Sequence, residues 1–432
     1  MKKLRDMNRW AKGFVTLWLL TLFLALSPLI ELKQCYADTA EVLPKGRSVF
    51  FVEGKLYSPV NKRYGPTGNE EDVAQDLNTN LNSSVFPGLL ALEALFPPAV
   101  FGFANLGHTN VKFQYHFDIF EFNYGYGITD KLSFGIKVPY WHVKNDVDAN
   151  LDTTNATYGK NSNFGAGPFA PAPYIPLPLG GVPLTSRDVQ NLLGPGLDVN
   201  NNGTVDVPGY GFKEVKNWNQ DALGDIQIGL RYQYYKSDNW RLALAGGVMC
   251  PTGQEDDPDS LVDYPTGSGT WAALFRLHND YVGMKNLFLS ASLKYDWFLP
   301  DHNYMRVPDN VDNPLTRNKE TVDRDIGSFF ELELYGSYQF LEGLSFFTKY
   351  RYGYKWKDSY SGDRGYDYDS LESQSNQKAQ DYTIGFEYST IPLYLTQRFP
   401  VPMSAFIGYR NRFAGENVLK SEYINVGLTI YF

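Results

Sequence analysis

The chain has 432 residues and a formal net charge of −9, with 39 Lys and Arg and 48 Asp and Glu scattered along it, so no basic patch offers itself to a nucleic acid. Aromatic residues make up 16% of the chain, including 31 Tyr and 29 Phe, while charged residues make up only 20%, a balance unlike that of soluble domains. Mean hydropathy is negative, and beyond the amino terminus no apolar run reaches the roughly 18 residues of a spanning helix, which argues against a helical membrane protein.

At the amino terminus, Lys2, Lys3, Arg5, Arg9 and Lys12 precede an apolar run from Phe14 to Ile30, and Cys35-Tyr36-Ala37 offers a cleavage point ahead of Asp38. Residues 1–37 therefore read as a secretory signal peptide, with a retained anchor as the alternative. Cleavage there leaves Cys250 as the sole cysteine, so an exported chain would carry no intrachain disulfide. Residues 38–432 then form the barrel domain argued for below.

A first strand runs from Ser48 to Ser58, with Phe50, Val52 and Leu56 on one side and Glu53, Lys55 and Tyr57 on the other. Residues 59–110 follow as a long extracellular loop, a candidate plug or lip. Its apolar piece at 85–100, bracketed by prolines, suits about two helical turns and is too short to cross a bilayer. Between 111 and 144 comes a hairpin that turns at Thr129-Asp130-Lys131. Phe113, Tyr115, Phe117 and Ile119 share one face of its first strand, whereas Phe122, Tyr124 and Tyr126 take the opposite parity, which predicts a β-bulge at Phe120. Leu132, Phe134, Ile136, Val138 and Tyr140 form one apolar face of its second strand.

Residues 145–220 form the longest extracellular loop. The stretch 164–184 is apolar but too rich in Pro and Gly for a regular strand or helix. Phe164, Phe169, Tyr174 and Ile175 are candidates for a hydrophobic vestibule, and burial against the 85–100 segment is the alternative. In DVNNNGTVD, Asp198, Asn200, Asn202, the Thr204 carbonyl and Asp206 fall at the ligand positions of an EF-hand-like loop with Gly203 at its sharp turn, a candidate calcium site. Gly209 stands where the closing acid would be.

Three further hairpins and a last group of strands bring the total to about twelve. The chain closes on SEYINVGLTIYF, residues 421–432, where Ile424, Val426, Leu428, Ile430 and Phe432 alternate with Tyr423, Asn425, Gly427, Thr429 and Tyr431. Period two with unlike faces and an aromatic last residue resembles the C-terminal assembly signal read by the barrel-assembly machinery of outer-membrane proteins. The expected fold is all-β: a transmembrane antiparallel barrel of about twelve strands, with short periplasmic turns and long extracellular loops. Its expected setting is the bilayer and lipopolysaccharide of a Gram-negative outer membrane.

If the apolar rows face lipid, the opposite rows line the lumen. They carry Arg231, Arg276, Lys294, Asp296, Glu331, Glu333, Lys349, Arg351, Asp381, Glu387, Arg410 and Arg412, mixed signs that argue against a strongly ion-selective ring. Twelve strands imply a narrow pore. The five His, at 108, 116, 142, 278 and 302, show neither paired metal-ligand spacing nor a neighbouring G-x-S-x-G, so no enzyme is expected.

Four segments, YGITDKLSFGIKVPY (126–140), LGDIQIGLRYQYY (223–235), LALAGGVMCPTGQED (242–256) and YPTGSGTWAALF (264–275), resemble the outer-membrane transporter family named after the meta-pathway of phenol degradation. The resemblance implies a barrel channel that admits small hydrophobic or aromatic molecules, and it carries over no catalytic or substrate residues. Met249-Cys250 departs from the family's usual polar residue before Pro-Thr-Gly, and the 145–220 insertion is longer than is usual there. The expected function is passive uptake of such molecules. The alternative is a non-transporting barrel, acting as an adhesin or as a scaffold that sheathes a periplasmic electron carrier.

Overall fold

The computed structural model describes residues 38–95, 104–166, 172–309 and 315–432; the expected signal peptide and Phe169 lie outside them. Twelve strands close into an antiparallel barrel: β1 (Ser48–Tyr57), β2 (Asn105–Thr129), β3 (Leu132–Asp152), β4 (Ile226–Lys236), β5 (Trp240–Cys250), β6 (Ala272–Met284), β7 (Leu287–Phe298), β8 (Phe329–Leu341), β9 (Leu344–Lys355), β10 (Gln377–Ser389), β11 (Met403–Glu416) and β12 (Glu422–Tyr431). The sheet closes where β1 inserts between β12 and β2, pairing Val52 with Leu428 on one side and with Phe122 on the other. Closure leaves no open edge in hydrocarbon, where an unpaired amide costs several kcal/mol.

Alternation places an apolar row outside. Leu230, Leu244, Phe275, Leu334, Ile384, Ile407 and Val426 are exposed on the outer wall. Aromatic residues gather toward the two ends: Tyr234, Trp240, Tyr338 and Tyr388 near the short turns, and Tyr140, Trp297, Trp356 and Tyr409 toward the other rim. An apolar band between aromatic girdles is the lipid-facing surface of an outer-membrane β-barrel. Ser48 and Phe432 meet at the end of the short turns, which is the periplasmic side.

The bulge expected at Phe120 is absent. Pairing of β2 with β3 runs unbroken from His108 opposite Asp152 to Gly127 opposite Ser133. The change of apolar parity has another cause. In the lower part of β2, Phe120, Phe122, Tyr124 and Tyr126 point outward and are exposed, while in the upper part Phe113, Tyr115, Phe117 and Ile119 point inward and are buried. The strand passes from lipid into the extracellular region, where outside becomes water and inside becomes a loop-covered core. Its side chains keep their period, and their surroundings invert.

Above the membrane, the two long loops fold on each other. Helix α1 (Gly88–Leu95) gives the two turns expected, and Phe86, Leu89 and Leu92 share a core with Tyr158, Ala172, Tyr174 and Leu184 and with Val189 and Leu192 of helix α2 (Ser186–Leu193). Thr185 and Asp188 form a capping box at the start of α2, satisfying amides that the helix itself leaves open. Loop lengths sort by end except at the last pair. There the periplasmic connection 390–402 holds a short helix and exceeds the extracellular link 417–421.

Val426 faces outward midway along the closing strand. Val426→Arg should cost about 2–4 kcal/mol of folding free energy in lipid vesicles, measured by urea titration, as a cation at mid-bilayer does. A loss within about 0.5 kcal/mol, usual for a water-facing site, would remove this strand face from the hydrocarbon.

Candidate functional site

The lumen has two unlike walls. From β6 to β11, inward residues on neighbouring strands form a ladder of ion pairs: Arg276 with Asp296, Lys294 with Glu331 at 2.9 Å, Arg351 with Glu331 at 3.1 Å and with Asp381 at 2.7 Å. Asp381, 1% exposed, also pairs with Arg410 and with Arg412 at 3.0 Å. Lys294 and Lys349 approach Glu333 at 3.7 and 3.4 Å. Glu387 lies buried below the ladder on the inner face of β10. The ladder thus contains every inward charge singled out above except Arg231, on the opposite side, and Glu387. Buried charges are tolerated where each has close partners, and removing one partner is costly.

The other wall carries a bare band beside the Lys55–Glu121–Lys137 group. Gly125, Gly135, Gly229 and Gly247 follow one another in register across β2, β3, β4 and β5, all on the inward parity. Between the walls lies a cavity of about 660 Å³ lined by both.

The cavity is closed from below by the segment Asp38–Leu43, which sequence reading had not placed. It rises from the periplasmic end, where the Lys45 amide donates to Asp130 at 3.0 Å and the Leu43 amide to Ser133 at 2.8 Å. Further in, the Ala40 amide donates to Asp280 at 2.9 Å, and Gln233 donates to the Ala40 carbonyl at 2.8 Å. Ser290 and Ser292 donate to the Asp38 carbonyl at 3.2 and 2.7 Å. The segment's two acids meet bases: Asp38 reaches Lys294 at 2.5 Å and Arg231 at 3.6 Å, and Glu41 reaches Arg241 at 3.1 Å. Gly127 belongs to this contact, since a Cβ there would stand 2.1 Å from the Pro44 carbonyl oxygen.

From above, the loop 251–271 folds over the mouth. Its Tyr264 packs on Phe117 at 4.8 Å and Trp141 at 6.2 Å between ring centroids, and Trp218 and Asn145 donate to the Val262 carbonyl at 2.6 and 3.0 Å. Here three of the four resembling segments acquire a physical role. Asp225 accepts from the Gly253 amide at 3.0 Å and the Ser268 amide at 2.7 Å, Thr252 donates to the Gly224 carbonyl at 2.8 Å, and Thr266 donates to the Leu223 carbonyl at 2.9 Å. Gly253 and Gly267 press backbone on backbone, so that a Cβ on Gly253 would stand 2.5 Å from the Gly267 Cα. The motif residues knot both ends of the mouth loop to the rim.

A clasp joins this loop to its neighbours. Arg306 donates to the carbonyls of Pro258 (2.8 Å), Tyr210 (2.9 Å), Gly211 (2.9 Å) and Thr316 (2.7 Å), pairs with Asp259 at 2.7 Å, and lies 3.9 Å over the Phe212 ring. Lys319 reaches the same Asp259 at 2.5 Å. Burial opposes ionisation of Asp259, yet Lys319 and Arg306 hold its carboxyl below the usual carboxylate range.

Tyr174 is buried in the extracellular core, with Ile175 half-buried beside it and Phe164 half-buried in the loop before them. In the oxygen-rich loop, Asp198 accepts the amides of Asn202 at 3.1 Å and Gly203 at 2.7 Å, Asn202 accepts that of Thr204 at 2.8 Å, and Asp206 accepts that of Val199 at 2.9 Å. The Asn200 side chain accepts the Asn202 amide at 3.1 Å and donates to the Phe164 carbonyl at 2.9 Å. Calcium at this loop is a proposal resting on ligand spacing.

No protein-family profile and no curated protein matches the sequence. Among solved structures, an outer membrane channel from Pseudomonas putida F1 matches with a TM-score of 0.50 at 11% identity, over 92% of this chain and 100% of that one. The CymD monoaromatic hydrocarbon channel matches at a TM-score of 0.33 and 10% identity, over 90% of this chain and 89% of that one. The first likeness shows a shared outer-membrane barrel fold; the second is too distant to bear on what this barrel passes.

Two measurements follow from the loops. A carboxyl with a lowered folded pKa adds stability above its unfolded value near 3.9, and that stability is lost as pH falls through the lower folded value. Protease cleavage within 205–215 and 255–262 of the folded barrel should therefore stay slow at pH 5 and rise only below about pH 4, while Arg306→Met should raise it at every pH. Millimolar calcium should slow cleavage at 190–215 if the ion binds; unchanged cleavage reduces that loop to a self-bonded turn.

Proposed function

We propose that this outer-membrane barrel is a channel for passive uptake of small hydrophobic or aromatic molecules, akin to the meta-pathway family that its rim segments resemble. The observation that carries this reading is a lumen cavity of about 660 Å³ lined by both walls and by the strand-free segment Asp38–Leu43 of the same chain. That volume is within the range of pockets that hold small organic molecules. The upper closure is aromatic, with Tyr264 against Phe117 and Trp141, so a flat apolar solute meets rings before it meets the charge ladder.

A sheath for an electron carrier needs a lumen wide enough for a protein, whereas this one holds paired charges and its own segment. An adhesin gives no reason for a chamber below its loops.

Cells expressing the barrel should accumulate a radiolabelled uncharged monoaromatic faster than cells with an empty vector. Deleting residues 38–43 should raise single-channel conductance in planar bilayers several-fold. Unchanged uptake together with unchanged conductance after the deletion would overturn the channel reading.

A further inference from the structure

We infer that the lumen contains a carboxylate-binding subsite built from Arg231 and Arg241 beside Lys294, occupied at rest by Asp38 and Glu41 and taken in their place by an apolar solute bearing one carboxylate, such as an aromatic acid. The inference rests on the channel reading and specifies its solute.

Most cations of the lumen have partners on the wall itself. Arg276, Lys294, Lys349 and Arg351 pair with acids of neighbouring strands, and on the other side Lys55 and Lys137 share Glu121 at 2.8 and 3.7 Å. Arg231 and Arg241 differ. Among the described residues, the carboxylates within ion-pair distance of them are those of Asp38 and Glu41, at 3.6 and 3.1 Å. Asp280 sits across from Arg241 in register, but its oxygens take the Ala40 amide at 2.9 Å and the Ser290 hydroxyl at 2.8 Å. Arg241 is only 4% exposed, and the buried Nε of each arginine has no acceptor. A guanidinium offers five donors in a planar fork suited to a carboxylate. These two therefore hold donors that the resting segment does not fill.

Withdrawing the segment would strand two cations in a confined lumen, which is strongly unfavourable unless another anion replaces its acids. One carboxylate shared by the two guanidinium groups replaces part of that charge, and Lys294 keeps Glu331 at 2.9 Å, so binding of the solute favours release of the segment. The neighbouring wall suits the rest of such a molecule. Gly229, two residues from Arg231, and Gly247 and Gly135 in register with it form a bare surface on which a ring can lie flat. An uncharged ring finds the surface but does not replace the acids. Two ligands that exclude one another must shift each other's apparent affinity by the same factor.

The test uses the mature barrel in nanodiscs, with Cys250→Ser and a spin label on Val42→Cys. Benzoate should mobilise the label saturably, and benzyl alcohol, of similar size without the charge, should need at least about ten times the concentration. Arg231→Gln with Arg241→Gln should weaken the benzoate response by about tenfold or more. Asp38→Asn with Glu41→Gln, which keeps both arginines and removes the competitor, should tighten benzoate binding measured by calorimetry. Equal responses to the two probes, or unchanged benzoate affinity in the Asn/Gln variant, would overturn the subsite. Uptake of the uncharged monoaromatic by cells carrying the same variants separates the two readings: intact uptake with a benzoate-insensitive label sinks the subsite alone, and loss of all uptake in the unsubstituted barrel sinks the channel.

Discussion

Every backbone amide in the hydrocarbon layer must find its partner on a neighbouring strand, and in this molecule the constraint is discharged at the junction of the first and last strands. The Ser48 amide bonds to Phe432 at 2.7 Å and the Phe432 amide returns to Ser48 at 3.0 Å. From there the register holds through Tyr57 opposite Tyr423. Once that seam is closed, the sheet has an inside, and the side chains of alternate positions are obliged to face one another across a narrow tube. The outer row needs only to be apolar. The inner row has to be mutually compatible.

Compatibility is reached differently on the two walls. On one, charges alternate in sign from strand to strand, so that Asp381 serves three arginines and Glu331 serves a lysine and an arginine. On the other, a band of glycines beside the Lys55–Glu121–Lys137 group leaves the backbone bare and so leaves room. The room is partly filled by Asp38–Leu43, which brings Asp38 and Glu41 to Arg231 and Arg241, bases with no wall carboxylate within ion-pair distance among the described residues. Charge balance in the lumen is therefore a property of barrel and segment together. The segment is held by side-chain hydrogen bonds and ion pairs and adds no strand to the sheet, so it can be withdrawn with the barrel's ladder of backbone bonds intact.

The extracellular half obeys the same periodicity under different surroundings. Strands β2 and β3 continue far above the bilayer, and there Val111, Phe113, Tyr115 and Val143 face inward against loops while polar residues such as Lys112, Gln114 and His116 face water. The mouth loop rests on that inverted core. Its ends are fixed by Asp225 and the two Pro-Thr-Gly turns, and its middle is tied by Arg306 to the loops on either side. A rigid cover over a chamber follows from packing and hydrogen bonding that begin where the lipid ends.

Periodicity by itself determined the barrel, its strand number and the side each row faces, because lipid on one side and lumen on the other force a two-residue repeat that any stretch of strand records locally. It also gave α1 its two turns between prolines. It misjudged Phe120, because a bulge and a change of surroundings leave the same mark on a string of residues. It could not place Asp38–Leu43 in the lumen, join Asp225 to Gly253 and Ser268, or set Arg306 over Phe212. These contacts link residues far apart in the chain, Asp38 to Ser292 across 254 positions among them, and no local pattern encodes which distant side chains will meet. That was decided only when the sheet closed and its curvature brought β4, β5, β6 and β7 around a segment that lies outside the strands.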